Sequence, residues 1–194
     1  MSEKRGALKG RIFKEGARLF AEQGYERTSL QELAGALGVT KPALYYYFSS
    51  KDELLFGIMT FVMDQVLADV IEVGESSLSP SDKLHDLIRR YISFFAVKPH
   101  ELTIMSTEVD SLGPEFRETI VARQREYVQL VRGIISGVMA GRRGGKARSV
   151  NETAAVYALL GGMNWIFKWY DPAGPLSPDE LARDFMSIFK SGLG

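Results

Sequence analysis

The chain of 194 residues contains no cysteine, only two histidines and no formal net charge at neutral pH. The absence of cysteine excludes disulfide bonds and thiolate metal sites, and it is typical of a reducing cytoplasm, where the protein is expected. No run approaches the roughly eighteen consecutive apolar residues of a membrane span. The charged N-terminal residues are not followed by an apolar segment, so neither a spanning helix nor a secretory signal is expected.

Constellations of catalytic side chains are also missing from the sequence. Asp82 and His85 form one half of a di-iron carboxylate motif, but the chain has no second Glu-x-x-His. Segment 140–149, AGRRGGKARS, has Ala140 where the first glycine of a phosphate-binding loop belongs, and it follows a helical pattern rather than a strand. We therefore interpret it as a basic flexible loop. No enzymatic activity, metal site or cofactor is expected.

The charges that are present are distributed unevenly. Hydrophobic residues make up 45% and charged residues 25% of the chain, as in ordinary globular proteins. Residues 1–51 hold nine Lys and Arg against five Asp and Glu, whereas the remainder holds fifteen against nineteen. A basic first quarter on a neutral protein indicates that this end meets a polyanion.

Helical signals dominate the first fifty residues, and no apolar/polar alternation predicts a sheet. An amphipathic helix is expected over 8–22, and Thr28 and Gln31 form the capping box of a second helix that Gly38 ends. Thr40 is expected to begin a third helix directly afterwards. Two short helices joined by a glycine turn predict a helix-turn-helix.

The remainder of the chain also has helical periodicity. Ser50 and Glu53 form a second capping box, which opens a long helix predicted over about 51–73. Prolines mark the boundaries of the later helices, because proline is tolerated in a first turn but not in a helix interior. These helices are predicted at about 81–97, 101–111, 114–140, 150–170 and 177–192.

The run KPALYYYF places four aromatic residues on the third helix. A helical wheel puts Leu44 and Phe48 about 40° apart on an inward face, Tyr46 pointing away, and Tyr45 and Tyr47 at the flanks. Exposed tyrosines suit a DNA backbone, because their hydroxyls donate to phosphate oxygens and their rings pack on sugars or thymine methyls. The alternative is that both flanking tyrosines pack against neighbouring helices.

Segment 27–55, RTSLQELAGALGVTKPALYYYFSSKDELL, resembles the DNA-binding signature of the TetR family of transcriptional regulators. The resemblance rests on FAEQGYERTS, the LA pair before the Gly-Val turn, LYYYF and SKDEL. Pro42 departs from the glycine of many members, which leaves base preference there open. The resemblance implies an all-α fold, with a three-helix helix-turn-helix domain at 1–51. A larger ligand-binding and dimerisation domain follows at 52–194, beginning with a linking helix at 52–73.

The family's DNA contacts carry over to matching positions. The resemblance implies phosphate contacts from Thr28 or Ser29, Tyr45, Tyr46, Tyr47 and Lys51, and groove contacts from Gln31, Thr40, Lys41, Pro42, Ala43 and Tyr45. Gln31 is either a bidentate partner for adenine or a solvated surface residue. Because one helix-turn-helix buries little surface, a homodimer on a pseudo-palindromic operator is required.

The last two predicted helices are the expected dimer face. The helix at 150–170 is apolar nearly all round, so it must be covered on both sides. The resemblance implies that it forms a four-helix bundle with the last helix and their dimer copies, whereas the alternative is a purely internal core. The predicted interface residues are Ala154, Ala158, Gly161, Trp165, Trp169, Leu181, Phe185, Ile188 and Phe189.

The helices between 81 and 140 are implied to enclose a pocket for a small amphiphilic effector, such as an acyl-coenzyme A or another lipid-derived molecule. The candidate wall residues are Phe61, Met63, Phe94, Phe95, Met105, Phe116, Arg123, Tyr127 and Asn164. The aromatic residues and methionines among these candidates are also the residue types that fill the cores of helical proteins. A repressor released from its operator by this effector is the favoured function, and an architectural DNA-binding dimer without an effector is the alternative. No membrane partner is expected.

Overall fold

The computed structural model describes residues 2–141 and 150–192, which form nine α-helices and two short 3-10 helices. The α-helices are α1 (Ser2–Gln23), α2 (Leu30–Leu37), α3 (Lys41–Tyr45), α4 (Lys51–Glu75), α5 (Pro80–Ala96), α6 (Pro99–Thr107), α7 (Pro114–Ala140), α8 (Glu152–Asn164) and α9 (Pro178–Gly192). The 3-10 helices are Val109–Ser111 and Trp165–Lys168. The described ranges contain no strand, which confirms the all-α prediction.

The predicted helix limits hold to within a few residues for most helices, but α1, predicted over 8–22, begins six residues earlier, at Ser2. Helix α7 has the predicted limits, whereas the helices predicted to reach 111 and 170 each finish as a 3-10 helix. Helix α3 ends at Tyr45, so the aromatic run continues from the helix into a turn. The basic loop predicted at 140–149 lies, from 142 onward, outside the described residues.

The capping box of α2 differs by one residue from the prediction. Ser29 is the N-cap: its hydroxyl accepts from the Glu32 amide at 3.2 Å, and the Glu32 carboxylate accepts from the Ser29 amide at 2.7 Å. The predicted cap residue Thr28 is instead buried, and its hydroxyl donates to two carbonyls of the preceding helix and turn. The prediction was wrong because Thr28 and the adjacent Ser29 both carry a hydroxyl suited to an N-cap. Thr28 is buried, so Ser29 takes the N-cap position.

Two glycines shape the turns around α2. Gly24 has a φ of 88° and Gly38 a φ of 66°, the left-handed region that other residues rarely adopt. Gly38 closes α2 by donating its amide to the carbonyl of Gly35 at 3.1 Å. The chain can therefore reverse into α3 within three residues, as a helix-turn-helix requires.

The helices form two compact units, Met1–Met63 with His100–Ala122, and Asp64–Pro99 with Arg123–Gly194. Helices α4 and α7 contribute to both units. The end of the DNA-binding module between residues 51 and 52 stays a prediction. The packed unit that contains this module is larger, because residues from α4, α6 and α7 share its core.

The core of the first unit holds the short helices in place. Leu33, Leu44 and Leu54, from three different helices, are each at most 1% exposed. Helix α1 approaches α4 closely at Gly16, where an added Cβ would lie 3.2 Å from the Ile58 side chain. Burial of these apolar residues, at about 25 cal/mol per Å², stabilises helices that are too short to persist alone.

In the second unit, α5 packs against α8 and α9. Arg90 of α5 also reaches α4: its guanidinium lies 2.8 Å from the Glu72 carboxylate and 3.3 Å from that of Asp69, and Asp86 holds it at 2.9 Å. By length and composition α4 could cross a membrane, but half of its most apolar stretch is buried inside the fold, as in a core helix.

Tyr91 and Asn164 form a polar pair in the second unit. Burial of the Tyr91 phenol raises its pKa, so it remains a hydrogen-bond donor, and its hydroxyl donates to the side-chain oxygen of Asn164. Asn164, predicted as an interior ligand contact, is exposed and serves as the acceptor for this phenol.

Replacing Asn164 by alanine should lower the free energy of unfolding by about 1–3 kcal/mol, the cost of a buried donor without an acceptor. Adding Tyr91→Phe should recover most of this loss, because the orphaned hydroxyl is then absent. Urea denaturation of the two single variants and the double variant measures both effects. Additive losses in the double variant would contradict the pairing.

Candidate functional site

Helix α3 is positioned by two buried anchors. Leu44 of α3 is 1% exposed and Phe48, in the turn after α3, is 5% exposed, so both residues that the helical wheel predicted to face inward are buried. Thr40 is the N-cap residue, but its hydroxyl makes no capping hydrogen bond, and Pro42 lies in the first turn. The helix therefore presents Thr40, Lys41 and Pro42 as an exposed N-terminal edge.

The three tyrosines after Leu44 lie at different depths. Tyr45 is 46% and Tyr46 62% exposed, whereas Tyr47 is half-buried, with its ring centroid 6.4 Å from that of Phe48. The Lys41 ammonium lies 5.7 Å from the centroid of the Tyr45 ring. The exposed end of α3 thus combines a cation, two phenol hydroxyls and apolar ring faces, the groups that contact nucleic-acid backbone and base edges.

The start of α2 presents further candidate DNA contacts. Ser29 and Gln31 are exposed, while Ala43 of α3 is half-buried. Thr28 does not share this surface: only 2% of it is exposed, and its hydroxyl is held by the carbonyls of Leu19 at 3.3 Å and Gly24 at 3.0 Å. Of the predicted pair, Ser29 is therefore the residue with access to a phosphate.

The capping carboxylate of Glu32 makes α2 sensitive to acid. Hydrogen bonds from the Ser29 amide and side chain lower the pKa of Glu32 in the folded protein. A lowered folded-state pKa stabilises the fold above the ordinary carboxyl pKa, and the contribution is lost as the pH falls through the folded-state value. We expect the wild-type melting temperature to fall more steeply than that of Glu32→Gln between about pH 6 and pH 3, since Gln keeps the cap without titrating. Parallel melting curves would contradict this role.

Lys51 has a structural contact that its predicted role did not include. Its ammonium donates to the carbonyls of Tyr25 at 2.9 Å and Glu26 at 3.3 Å, and it lies 4.2 Å from the Tyr25 ring centroid. Burial raises the pKa of Tyr25 to about 12. Lys51 therefore fastens the first residue of α4 to the turn between α1 and α2.

The first turn of α4 contains one contact that no sequence pattern indicated and one predicted capping box that differs in a partner. The Gly113 amide donates to the Asp52 carboxylate at 3.2 Å, which joins the first turn of α4 to the residue before α7. Glu53 accepts from the amide of Ser49 at 2.6 Å, one residue before its predicted partner Ser50. The Ser50 hydroxyl does accept from the Glu53 amide, so half of the predicted box is present.

The residues predicted to line an effector pocket are dispersed. Phe61 is 42% exposed, Met63 is buried, and Phe116 stacks on Phe56 with ring centroids 4.3 Å apart in the core of the first unit. Met105 is half-buried against the same core. Their packing is that of ordinary core and surface residues.

The second unit holds the remaining predicted pocket residues. Phe95 and Tyr127 are buried, and Phe94 packs edge-on against Phe95. Arg123, predicted as an inward partner for an anion, instead forms an ion pair with the exposed side chain of Asp64. The Tyr127 hydroxyl is buried and has no hydrogen-bond partner among the described residues.

An apolar cleft of about 560 Å³ lies elsewhere in the second unit, between the end of α4, the start of α5 and the second half of α7. A second hollow of about 290 Å³ adjoins it and shares Pro80 and Gly137. The larger cleft is lined by Val70, Ile71, Gly74, Glu75, Pro80, Lys83, Leu130, Gly133, Ile134 and Gly137. None of the predicted pocket residues lines it, and no local sequence pattern indicates it.

The outer face of α8 is apolar and exposed. Tyr157 on α8, Trp165 at the start of the following 3-10 helix and Trp169 directly after it are 58%, 59% and 52% exposed, and α8 also exposes three small residues. These small residues are Ala154, Ala158 and Gly161. On α9, Ile188 is 73% exposed.

The remaining predicted interface residues are less exposed. Phe185 and Phe189 are half-buried, and the aromatic ring of Phe185 lies against Gly162 of α8. Leu181, predicted at the interface, is only 3% exposed and packs inside its own unit, so it is a core residue. Within the described ranges no cluster of histidine or carboxylate side chains is suited to hold a metal ion.

Residues 77–193 match the family described as Tetracyclin repressor-like, C-terminal domain, and residues 12–58 match Bacterial regulatory proteins, tetR family. The chain belongs to the TetR family. The first match covers more than half of the chain, and the second spans the helix-turn-helix built by α2 and α3. Members of this family are DNA-binding transcriptional regulators.

Individual relatives of this TetR-family chain align over nearly its whole length. It is 33% identical to the regulator PfmR from Thermus thermophilus, with a TM-score of 0.83, covering 95% of this chain and 99% of the other. It is 31% identical to AibR, solved with isovaleryl coenzyme A and operator DNA, with a TM-score of 0.78 and coverages of 93% and 96%. The repressor KstR2 of Rhodococcus jostii is 27% identical over 179 residues, 91% of this chain and 86% of that protein.

Proposed function

We propose that this TetR-family regulator is a cytoplasmic repressor that binds a pseudo-palindromic operator as a homodimer and is released by a small amphiphilic effector. The observation that carries the proposal is the exposed end of α3, where Lys41, Tyr45 and Tyr46 surround a helix anchored by Leu44. These groups suit phosphate and base-edge contacts. Ser29, Gln31 and Thr40 extend this surface, with Pro42, Ala43 and Tyr47 at its margins.

The proposed dimer is supported by the outer face of α8 and α9. Its aromatic side chains alternate with small residues, so a second copy could approach closely and cover rings that now face solvent. In this proposal Ala158 and Gly161 lie at the centre, with Trp165, Trp169 and Ile188 around them. Two-fold symmetry would then place one copy of α3 at each operator half-site.

The effector class is supported by AibR, whose structure holds isovaleryl coenzyme A, and by the apolar cleft of the second unit. The effector would favour a dimer whose two α3 helices no longer match successive major grooves. A preference of about 3 kcal/mol for that state weakens operator binding by about a hundredfold.

Fluorescence anisotropy with a duplex selected from a random pool tests the proposal. Tight binding that decanoyl-coenzyme A or isovaleryl-coenzyme A reverses would support it. If the protein binds tightly and no acyl-coenzyme A ester, sterol or other amphiphile reverses the binding, the alternative function is favoured, an architectural DNA-binding protein without an effector. Absence of binding to any duplex would contradict the proposal.

A substitution at Lys51 distinguishes two possible roles of its ammonium, a contact with phosphate and a purely structural contact. If its ammonium also reaches phosphate, Lys51→Met should lower the slope of log affinity against log salt by about one charge per subunit. If it only holds Tyr25 and Glu26, the slope should stay unchanged while amide exchange in residues 24–28 rises. We expect the first result, and Lys98→Met, a change of the same kind outside this surface, serves as the control.

A further inference from the structure

Arg11 joins α1 to the end of α2. Its guanidinium donates to the carbonyl of Leu37, the last residue of α2, at 3.3 Å. The closing carbonyls of a helix form its negative dipole end, and an arginine placed there satisfies one of them. Helix α2 has no basic residue in its own last turn, so α1 supplies this cation from outside the helix.

The bond from Arg11 lies beside the turn that leads into α3. Gly38 follows Leu37 directly and has a φ of 66°, and Thr40 begins the exposed edge of α3 two residues later. Three peptide units separate Leu37 from Thr40, so their Cα atoms are at most about 11 Å apart. The guanidinium of Arg11 is therefore near the N-terminal edge of the proposed DNA-binding surface.

The charge of Arg11 is not neutralised by a carboxylate. Arg11 is exposed, and it forms no ion pair with any side chain that the structure describes. Arg18 of the same helix differs, because its guanidinium lies 2.5 Å from the carboxylates of both Glu15 and Glu22. Glu15, one turn after Arg11, is thus engaged by Arg18. Of these two arginines, Arg11 is the one whose charge remains available to a polyanion.

A guanidinium in this position can hold two acceptors at once. It carries five N–H donors in a planar fork, and the Leu37 carbonyl occupies one of them. The remaining donors suit phosphate, which arginine binds through two parallel hydrogen bonds. We propose that Arg11 contacts the operator backbone: its guanidinium bridges the Leu37 carbonyl and a phosphate, and so fixes the turn before α3. This inference rests on the proposed function, because it requires that α3 faces DNA.

The salt dependence of operator binding measures this phosphate contact. Replacing Arg11 by methionine should lower the slope of log affinity against log salt by about one charge per subunit. Affinity at low salt should fall about tenfold, because a dimer loses two such contacts. Amide exchange at Gly38 and Val39 should also rise, since these amides close the end of α2 beside the Leu37 carbonyl.

Two further variants separate charge from geometry. Arg11→Lys keeps the charge on a single ammonium without the planar fork, so it should retain the wild-type slope and bind with intermediate affinity. Arg18→Met is the matched control, because it removes the same charge from the same helix but from an arginine already paired with two carboxylates. Its slope should equal that of the wild type. Thermal unfolding confirms that each variant is folded.

Two results would overturn the inference while the wild-type protein still binds its operator. The first is a wild-type slope in Arg11→Met, and faster amide exchange at Gly38 and Val39 would then identify Arg11 as a helix cap without a phosphate contact. The second is an equal loss of slope in Arg11→Met and Arg18→Met, which would show that only the net charge of the protein matters. Failure of the wild type to bind any duplex would contradict the proposed function and this inference together, so the two kinds of failure are distinguishable.

Discussion

Replacing Ala158 by arginine should convert the protein into monomers and weaken operator binding more than a hundredfold. Ala158 is exposed between Tyr157 and Gly161 on the outer face of α8, so the variant protomer should fold normally. At the proposed interface, however, the substitution buries two like charges across the two-fold axis without partners. An uncompensated buried charge costs about 3–5 kcal/mol, which is enough to dissociate a dimer at micromolar concentrations.

Sedimentation equilibrium and operator titration should be measured together for this variant. Ala68→Arg is the matched control, because Ala68 is an exposed alanine on α4, a helix that is not part of the proposed interface. The control should remain a dimer with wild-type operator affinity. A dimeric Ala158→Arg protein that binds the operator normally would show that the apolar face of α8 is not the interface.

Replacing Tyr45 by alanine should weaken operator binding by about a hundredfold and leave the melting temperature nearly unchanged. Each dimer carries two copies, and a loss of about 1.4 kcal/mol per copy multiplies to that factor. The fold should tolerate the change because Tyr45 is 46% exposed. Operator affinity and thermal unfolding of the same samples measure both effects.

Two controls separate contact from stability at this helix. Tyr45→Phe keeps the ring and removes only the hydroxyl, so its affinity should fall between those of the wild type and Tyr45→Ala. Leu44→Ala should lower the free energy of unfolding by about 2–5 kcal/mol, because Leu44 is buried in the core. If the Tyr45→Ala variant bound the operator with wild-type affinity, α3 would not be part of the DNA-binding surface.

Helix positions were predictable because their signals are local. Proline at the start of α7 and apolar periodicity along it were sufficient for its limits. The helical wheel correctly separated the buried Leu44 and Phe48 from the exposed Tyr46, although Phe48 lies in the turn after α3. Even the cap error was small: Thr28 and Ser29 both suit an N-cap, and only burial distinguishes them.

Contacts between distant residues were not predictable. The bonds from Lys51 to the Tyr25 carbonyl and from the Gly113 amide to Asp52 join segments that no local pattern relates. The cleft of the second unit was not predictable for a related reason: Phe95 and Phe116, which do not line it, look alike in sequence whether they fill a core or line a cavity. The cleft depends on Gly74 and Gly133 lying near each other, which only the fold determines.

Selection of DNA duplexes from a random pool by the wild-type protein tests the central claim most directly. The account predicts one enriched pseudo-palindrome whose half-sites are spaced for two copies of α3, with an affinity that falls steeply with salt and is lost in Tyr45→Ala. No enriched sequence, or an enriched sequence that Tyr45→Ala binds as tightly as the wild type, would contradict it.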